Sequence, residues 1–357
     1  MTMPNDRRKP GQKPERELEL PPLPLPPPNE ASAFEEVFER ADSVWVGGGP
    51  PAPALLRHSR QQLRGPAGRV AVVEAARTPF ARAGSDLAAF DVVDLAGIPA
   101  GEVVARAGID PVEVDLAIFG VVVQSLAAPN LGREIVFRAG LPMSIPGTTV
   151  NLACASSNRA ITSGAEAILR GDAEIVLAGG AESLSNVPLT FSKPAAEKFV
   201  ALAKARTASQ RLAAIRKFRP RDFAPVPPAI AEFSTGMTMG EACEKMAKEN
   251  DISRCSQDEV ALLSHQRAAA AQAEGRFAQQ VIPVIPPPRY DGVVSADNGV
   301  RADSSYEALA RLKPVFDRRF GTLTAGNSSP LTDGGAAVLL MSEKRARGLG
   351  RTPLGFL

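Results

Sequence analysis

The sequence has few of the residues that build disulfide and metal sites. Three cysteines and two histidines occur among 357 residues. The cysteines, Cys154, Cys243 and Cys255, are odd in number and none lies in a CxxC pair, so no disulfide framework is expected. Because only His58 and His265 could serve as imidazole ligands, a zinc site is not expected either.

Long apolar runs and a marked excess of one charge are also missing. No stretch of about 18 apolar residues occurs, so no membrane-spanning segment is predicted. The N-terminus lacks the apolar core of a secretion signal, and Glu15, Glu17 and Glu19 argue against a mitochondrial transit peptide. We therefore expect a cytoplasmic protein. A formal net charge of +2 gives no general case for binding nucleic acid.

Residues 1–68 differ from the rest because they are rich in proline. Residues 21–28 read PPLPLPPP, a run that lacks backbone donors and favours polyproline II. We predict a disordered extension, in which His58 is a solvated side chain. The alternative is a proline-motif ligand for a partner domain.

From Arg69 onward, short apolar strands alternate with helical stretches. The predicted strands are 70–74, 114–123, 147–151, 174–178 and 336–342, and the main predicted helices are 92–107, 131–139, 155–170, 238–249 and 257–275. This alternation is typical of βαβ units, so we predict an α/β fold with a mostly parallel sheet covered on both faces. Ligands of such sheets bind beyond the carboxyl ends of the strands.

Cys154 lies where the predicted strand 147–151 meets the predicted helix 155–170. Free N–H groups and the positive dipole end of that helix would favour a thiolate and could hold an oxyanion. The position indicates a nucleophilic cysteine, with a small buried hydrophobe as the alternative. Gly179 and Gly180 follow another predicted strand at the same end of the sheet. They indicate either a close approach of a neighbouring backbone or a simple turn.

Two later stretches carry further hypotheses. Residues 198–221 hold eight basic residues and no acidic one, with apolar residues at roughly helical spacing. They predict a basic amphipathic helix that docks on an anionic membrane or a partner subunit, with a solvated surface helix as the alternative. Residues 321–330, GTLTAGNSSP, form a loop of small residues that could let backbone and hydroxyl groups approach a ligand.

Taken together, several stretches resemble the thiolase family along most of the chain, from about 69 to 357. The matching stretches, in order, are 73–80, 151–158, 178–183, 239–241, 264–266 and 321–334. The type that they resemble most is the β subunit of the fatty-acid β-oxidation trifunctional complex. That likeness rests on residues 327–333 and on the basic insert followed by 232–235.

The resemblance implies a thiolase-like α/β fold, in which a βαβαβαββ lobe with a parallel-rich mixed sheet carries an inserted loop domain. On this sequence the lobe would comprise 69–184 and 331–351, the loop domain 185–330, and the start of a second lobe 352–357. The family also implies a homodimer and, for this type, a hydratase–dehydrogenase α subunit as partner.

The activity that the resemblance implies is acyl transfer to coenzyme A. Cys154 would attack the keto carbonyl of a 3-ketoacyl-CoA, release acetyl-CoA and pass the acyl group to free CoA. Its backbone N–H matches half of an oxyanion hole, and Ser329 matches the loop serine that contacts the pantetheine arm of CoA. No metal or redox cofactor is implied.

Motifs of the family's second lobe are missing from the sequence. Neither histidine motif is present, His265 matches a helix position, and Cys243 and Cys255 fall in the predicted loop domain. A cysteine nucleophile needs a base, and Claisen chemistry needs a second group for the α-proton. We therefore expect a thiolase fragment with its C-terminal lobe absent, inactive on its own. The alternative is a non-catalytic thiolase-like protein that binds acyl-CoA or a partner.

Overall fold

The computed structural model describes residues 65–66, 68–226 and 228–357, so most of the predicted proline-rich extension at 1–68, with His58, lies outside them. Within the described residues the strands are β1 Val70–Arg77, β2 Ala81–Arg82, β3 Leu116–Gly120, β4 Gly147–Val150, β5 Ile175–Ser183, β6 Thr190–Phe191, β7 Pro225–Val226, β8 Thr332–Ser342 and β9 Gly355–Phe356. The helices are α1 Val92–Ala107, α2 Leu131–Arg138, α3 Ser156–Arg170, α4 Lys193–Lys204, α5 Ala208–Ile215, α6 Met239–Glu249, α7 Arg254–Ala273, α8 Tyr306–Ala310 and α9 Glu343–Gly348.

The main sheet is mixed and has the order β4-β3-β5-β8-β1-β9, with β2 paired to β8. β3 runs parallel to β4 and β5, whereas β8 is antiparallel to both β5 and β1, and β9 is antiparallel to β1. Along the chain, β1, α1, β3, α2, β4, α3, β5 and β8 follow the expected βαβαβαββ order. The α/β class and the mixed sheet are confirmed, although parallel pairing is limited to three strands.

Helices cover both faces of this sheet, and neighbouring residues of its central strands point to opposite faces. Leu177 and Leu339 belong to a buried cluster with α1 and α2, while Val176 and Leu340 belong to a second cluster with α3. All four side chains are fully buried. Burial on both faces explains why β5 and β8 are almost continuously apolar. Truncating one of these leucines to alanine should cost about 2–5 kcal/mol.

Glycine-rich ends prolong the two central strands beyond the predicted limits. Residues 179–183 belong to β5 and residues 333–335 to β8, so neither forms a turn. A Cβ atom at Gly179 would lie 2.2 Å from the carbonyl oxygen of Ala336. Close backbone approach, and not a turn, therefore accounts for the glycines here.

Capping residues bound the predicted helices of the lobe. The Asp91 side chain accepts a hydrogen bond from the Asp94 N–H at the start of α1, and Gly108 ends that helix in the left-handed conformation with φ 56°. Gly171 ends α3 in the same way with φ 83°. The predicted positions of α1 and α3 are thereby confirmed.

The basic stretch 198–221 does not form the single predicted helix. α4 ends at Lys204, and α5 begins after Thr207, whose side chain accepts a hydrogen bond from the Gln210 N–H. The Gln210 side chain in turn accepts from the Thr207 N–H, and this capping box starts a new helix. In the described part of the chain, no helix is long and apolar enough to cross a membrane.

The chain leaves the sheet after β5 and returns in β8, the neighbouring strand. The helices α4 to α8 and the two-stranded β6-β7 sheet come from this interval. The predicted loop domain at 185–330 falls inside it. The boundaries of this loop domain stay predictions. The same holds for the two lobe segments and the start of the second lobe, predicted at 69–184, 331–351 and 352–357. Residues 355–356, placed by sequence in a following lobe, form β9 at the edge of this sheet beside β1.

Candidate active site

Cys154 lies in a tight turn between β4 and the start of α3. Its side chain is exposed, so the alternative of a buried hydrophobe is wrong. Ala153 before it has φ 46°, in the left-handed region that alanine rarely adopts. The Leu152 N–H donates to Ser156 Oγ over 2.9 Å, and the Ser156 hydroxyl donates to the Ala153 carbonyl over 2.6 Å. These bonds hold the turn that presents the Cys154 thiol.

The N-terminus of α3 rests directly on the sheet because the strands beneath it carry glycines. A Cβ atom at Gly120 would lie 2.5 Å from the backbone carbon of Ser156, and one at Gly180 would lie 2.1 Å from Ser157 Oγ. No side chain among the described residues caps α3. The Ser156 N–H donates to the Ala153 carbonyl over 3.1 Å, so the N–H groups that follow it and the positive dipole end are what can stabilise an anion beside Cys154.

A cavity of about 230 Å³ opens beside Cys154. Its walls come from β3, the Cys154 turn, the start of α3 and the glycine-rich ends of β5 and β8. The Phe80 ring lies against Gly334, where a Cβ atom would come within 2.2 Å of it. Among the residues that line this cavity, only Cys154 and Glu182 have ionisable side chains. The cavity thus contains a thiol and a carboxyl group, and no imidazole lines it.

The Glu182 carboxylate is held by two successive backbone donors. The Val122 N–H donates to one oxygen over 2.8 Å, and the Val123 N–H donates to the other over 3.0 Å. Burial raises the pKa of Glu182, and these two hydrogen bonds oppose the rise without cancelling it. Sequence reasoning assigned Glu182 no role of its own, although it lies within the matching stretch 178–183.

Ser329 lines a different cavity, of about 560 Å³, together with His265, Arg82, Arg301 and Asp303. The Nε atom of Arg82 is buried without a hydrogen-bond acceptor among the described residues. Guanidinium and hydroxyl groups of this kind suit a ligand that carries phosphate and amide groups. The two predicted site residues, Cys154 and Ser329, therefore do not share one cavity.

Two buried carboxylates hold the loop that carries Ser329. Glu244 of α6 accepts hydrogen bonds from the N–H groups of Thr322 and Leu323, at 2.7 and 3.1 Å. Asp258 of α7 accepts from the Asn327 side-chain amide over 3.0 Å. Both acids are at least 95% buried. Sequence reasoning missed them because their partners are far away in the chain.

The remaining candidates lie away from the Cys154 cavity. His265 is on α7, and its Nδ1 accepts a hydrogen bond from the Arg301 N–H over 3.3 Å. Cys243 is half-buried on α6, and the exposed Cys255 accepts a hydrogen bond from the Tyr306 hydroxyl over 3.1 Å. None of them lines the cavity beside Cys154.

Comparison with known proteins places this geometry in a family. Residues 70–344 match the family model described as "Thiolase, N-terminal domain". The chain belongs to the thiolase family. This assignment confirms the family resemblance seen in the sequence, and residues 151–158 lie within the matched range.

Individual relatives carry more specific names. The chain is 46% identical to the 3-ketoacyl-CoA thiolase of Pectobacterium carotovorum and 47% identical to that of Serratia proteamaculans, each over 289 residues. Each match covers 81% of this chain and 66% of the relative, so the chain spans just under two thirds of their length.

Solved structures show the same fold. The acetyl-CoA acetyltransferase of Bacillus anthracis is 33% identical with a TM-score of 0.70, over 80% of this chain and 68% of its own. Human mitochondrial 3-ketoacyl-CoA thiolase, solved in complex with CoA, is 30% identical with a TM-score of 0.67, over 82% and 68%. The thiolase-like fold class is thereby confirmed.

Proposed function

We propose that this chain carries the nucleophile of a 3-ketoacyl-CoA thiolase, an acyl-CoA C-acyltransferase of fatty-acid β-oxidation. The observation that carries the proposal is the exposed Cys154 in a strained turn at an uncapped helix N-terminus, beside a cavity. Names of relatives at 46–47% identity support the same reaction.

In the proposed reaction, the Cys154 thiolate attacks the 3-keto carbonyl carbon and forms a tetrahedral oxyanion. N–H groups at the start of α3 stabilise that oxyanion, an effect worth about 10²–10³-fold per donor in comparable sites. The Cα–Cβ bond then breaks, the acetyl-CoA carbanion takes a proton, and the acyl group stays on sulfur as a thioester. The thiol of free CoA attacks that thioester and releases acyl-CoA with the Cys154 thiolate.

Proton transfer in this scheme needs an acid–base group. The side chains that line the Cys154 cavity offer only Glu182, whose carboxylate already accepts two backbone hydrogen bonds. By resemblance the histidine and second cysteine of the family belong to its second lobe. We therefore keep the expectation that residues 1–357 alone turn over little substrate, and that no metal or redox cofactor takes part.

Ser329 is proposed to contact the pantetheine arm of CoA. Its cavity holds Arg82 and Arg301, which would attract the phosphates of the same ligand. Residues 330–332 connect this cavity to the one beside Cys154, since Pro330 lines the first and Thr332 lines the second. An arm of CoA that follows this segment would bring its thioester towards the Cys154 thiol.

The finer partner predictions concern surfaces outside this site. The family resemblance supports a homodimer and a hydratase–dehydrogenase α subunit as partner, and a cytoplasmic location stays a prediction from the sequence. For the basic stretch 198–221 we propose an anionic lipid surface. Its Leu212 and Ile215 side chains are about half exposed, with Arg211 and Arg216 exposed beside them.

The test is formation of an acyl-enzyme, a single thioester exchange between Cys154 and acyl-CoA that requires neither turnover nor transfer of an α-proton. The 357-residue chain is incubated with hexanoyl-CoA, and intact mass and peptide maps are recorded. We expect one hexanoyl group on Cys154, no adduct in Cys154→Ala, and an unchanged adduct in Cys255→Ala, which removes the other exposed cysteine. Adducts that persist in Cys154→Ala would contradict the proposal. CoA binding without any adduct would support the non-catalytic alternative.

A further inference from the structure

Two carboxylates bind successive backbone N–H groups at opposite ends of β5, Asp115 through one oxygen and Glu182 through both. At the amino end, Asp115 accepts hydrogen bonds from the N–H groups of Glu174 and Ile175 over 2.8 and 2.9 Å. At the carboxyl end, Glu182 accepts from Val122 and Val123. Only the second arrangement lies at the Cys154 cavity.

A chain of hydrogen bonds leads from Glu182 to the Cys154 turn. The carbonyl oxygen of Val122, whose N–H donates to Glu182, accepts from the Asn151 side-chain amide over 3.0 Å. The Asn151 side-chain oxygen accepts from the Ala153 N–H over 3.2 Å. Ala153 is the residue with φ 46°, directly before Cys154. We call these residues the Glu182–Asn151 relay.

Each step of the relay restrains backbone that would otherwise be free to relax. Val122 lies two residues beyond the end of β3 and is 44% exposed, so packing alone does not fix it. A left-handed alanine persists only where its surroundings hold it. Ser156 holds one side of the turn, through Leu152 and Ala153, and Asn151 holds the other.

Resting on the proposed role of Cys154, we propose that Glu182 is a positioning residue that holds the nucleophile turn through Val122 and Asn151. Its carboxylate does not exchange a proton with the substrate. It fixes the Val122 carbonyl, which orients Asn151, which holds Ala153 in the conformation that directs the Cys154 thiol to the N-terminus of α3.

A purely electrostatic role of Glu182 predicts the opposite change in the alkylation rate of Cys154. A carboxylate near a thiol disfavours the thiolate, so removing its charge would speed alkylation of Cys154. Loss of positioning would slow it, because the thiol would leave the helix N-terminus. Glu182→Gln separates the two effects, since glutamine keeps the side chain's size but has one acceptor oxygen, whereas the two N–H groups bind different oxygens of Glu182.

The experiment measures iodoacetamide alkylation rates of all three cysteines in the folded 357-residue chain. We expect Glu182→Gln to slow Cys154 by about tenfold, with the rates at Cys243 and Cys255 unchanged. Asp115→Asn, which neutralises the carboxylate at the other end of β5, should leave Cys154 unchanged. Asn151→Ala should slow Cys154 by a similar factor, and it serves if Glu182→Gln fails to fold.

The double variant tests the connection itself. If Glu182 and Asn151 act through the same relay, the variant that combines Glu182→Gln with Asn151→Ala should reduce the alkylation rate of Cys154 no more than the stronger single change does. A Cys154 alkylation rate that is unchanged or faster in Glu182→Gln would overturn the inference. So would a double variant in which the rate reductions of the two single variants multiply. The proposed nucleophile fails separately, if wild-type Cys154 reacts no faster than Cys255.

Discussion

Cys154 and Ser329 line two different cavities, and residues 330–332 join the walls of both. Cys154 is held by a local turn and a helix N-terminus, whereas the Ser329 loop is held from α6 and α7 by Glu244 and Asp258. The proposed CoA therefore spans two parts of the fold that are stabilised independently. Changes at one site should leave the other intact.

Replacing Ser329 with alanine should weaken CoA binding without changing Cys154 alkylation. One lost neutral hydrogen bond is worth about 0.5–1.5 kcal/mol, so the Kd for CoA should rise by about two- to tenfold. Isothermal titration calorimetry measures this. Ser328→Ala is the matched control, since Ser328 is also exposed and lines the same cavity. A larger effect at Ser328 would show that the family register is misplaced on this loop.

Charge reversal on the basic stretch should weaken binding to anionic vesicles. The three residues changed to glutamate are Arg211, Arg216 and Lys217. Each basic residue near an anionic bilayer contributes about 1 kcal/mol, so the partition coefficient should fall at least about a hundredfold at low salt. Co-sedimentation with phosphatidylserine vesicles measures it.

The control for that surface makes the same charge change elsewhere in the interval between β5 and β8. In this control, three other exposed basic residues are changed to glutamate: Arg311, Lys313 and Arg318. Equal losses in both triple variants would mean that net charge alone matters. Lys198 is left in place because its ammonium pairs with Asp222 at 2.6 Å. If vesicle binding is unaffected but capture of a hydratase–dehydrogenase subunit is lost, the surface binds protein and not lipid.

Stability should fall in acid partly through Glu343. Hydrogen bonds from the Arg69 side chain and backbone lower the pKa of Glu343 from 4.5 to about 2. Because the folded-state pKa lies below the unfolded value, its stabilisation is present above about pH 4.5 and is lost as the pH falls towards 2. Thermal unfolding of Glu343→Gln should therefore depend less on pH in this window than that of the wild type.

Glu249→Gln is the control for this pH dependence. Glu249 forms an exposed pair with Lys245 at 3.6 Å, one turn apart on α6. Such surface pairs contribute little to stability. A pH profile that is as flat in Glu249→Gln as in Glu343→Gln would contradict the assignment to Arg69 and Glu343.

Local sequence signals predicted the helices of the lobe better than its strands. Asp91, Gly108 and Gly171 mark helix ends by mechanisms that act within a few residues. The glycines at 179–180 and 334–335 mark turns and close approaches equally well, and only strand pairing decides between these. The capping box Thr207–Gln210 was visible in the sequence, and overlooking it merged α4 and α5 into one predicted helix.

In the candidate site, too, local sequence patterns locate some residues and not others. The strand-to-helix junction locates Cys154 from adjacent residues alone. Ser329 gains its role from family resemblance, and no local pattern shows that it lies in another cavity. Glu182 and Asn151 are connected through Val122 only because β5 and β4 both pair with β3, which no local pattern specifies.

The central claim is that the turn before α3 makes Cys154 a nucleophile. Time-resolved iodoacetamide labelling with peptide mapping tests it most directly in the folded 357-residue chain. Cys255 is the comparison that matters, because it is also exposed and also lies in the first turn of a helix. Unlike α3, however, α7 is capped by the Ser253 side chain, and the Cys255 thiol donates to Glu259 over 3.4 Å. We predict that Cys154 reacts about tenfold faster than Cys243 and Cys255, and that the difference disappears in denaturant. Faster labelling of Cys243 or Cys255 in the folded chain would contradict the account.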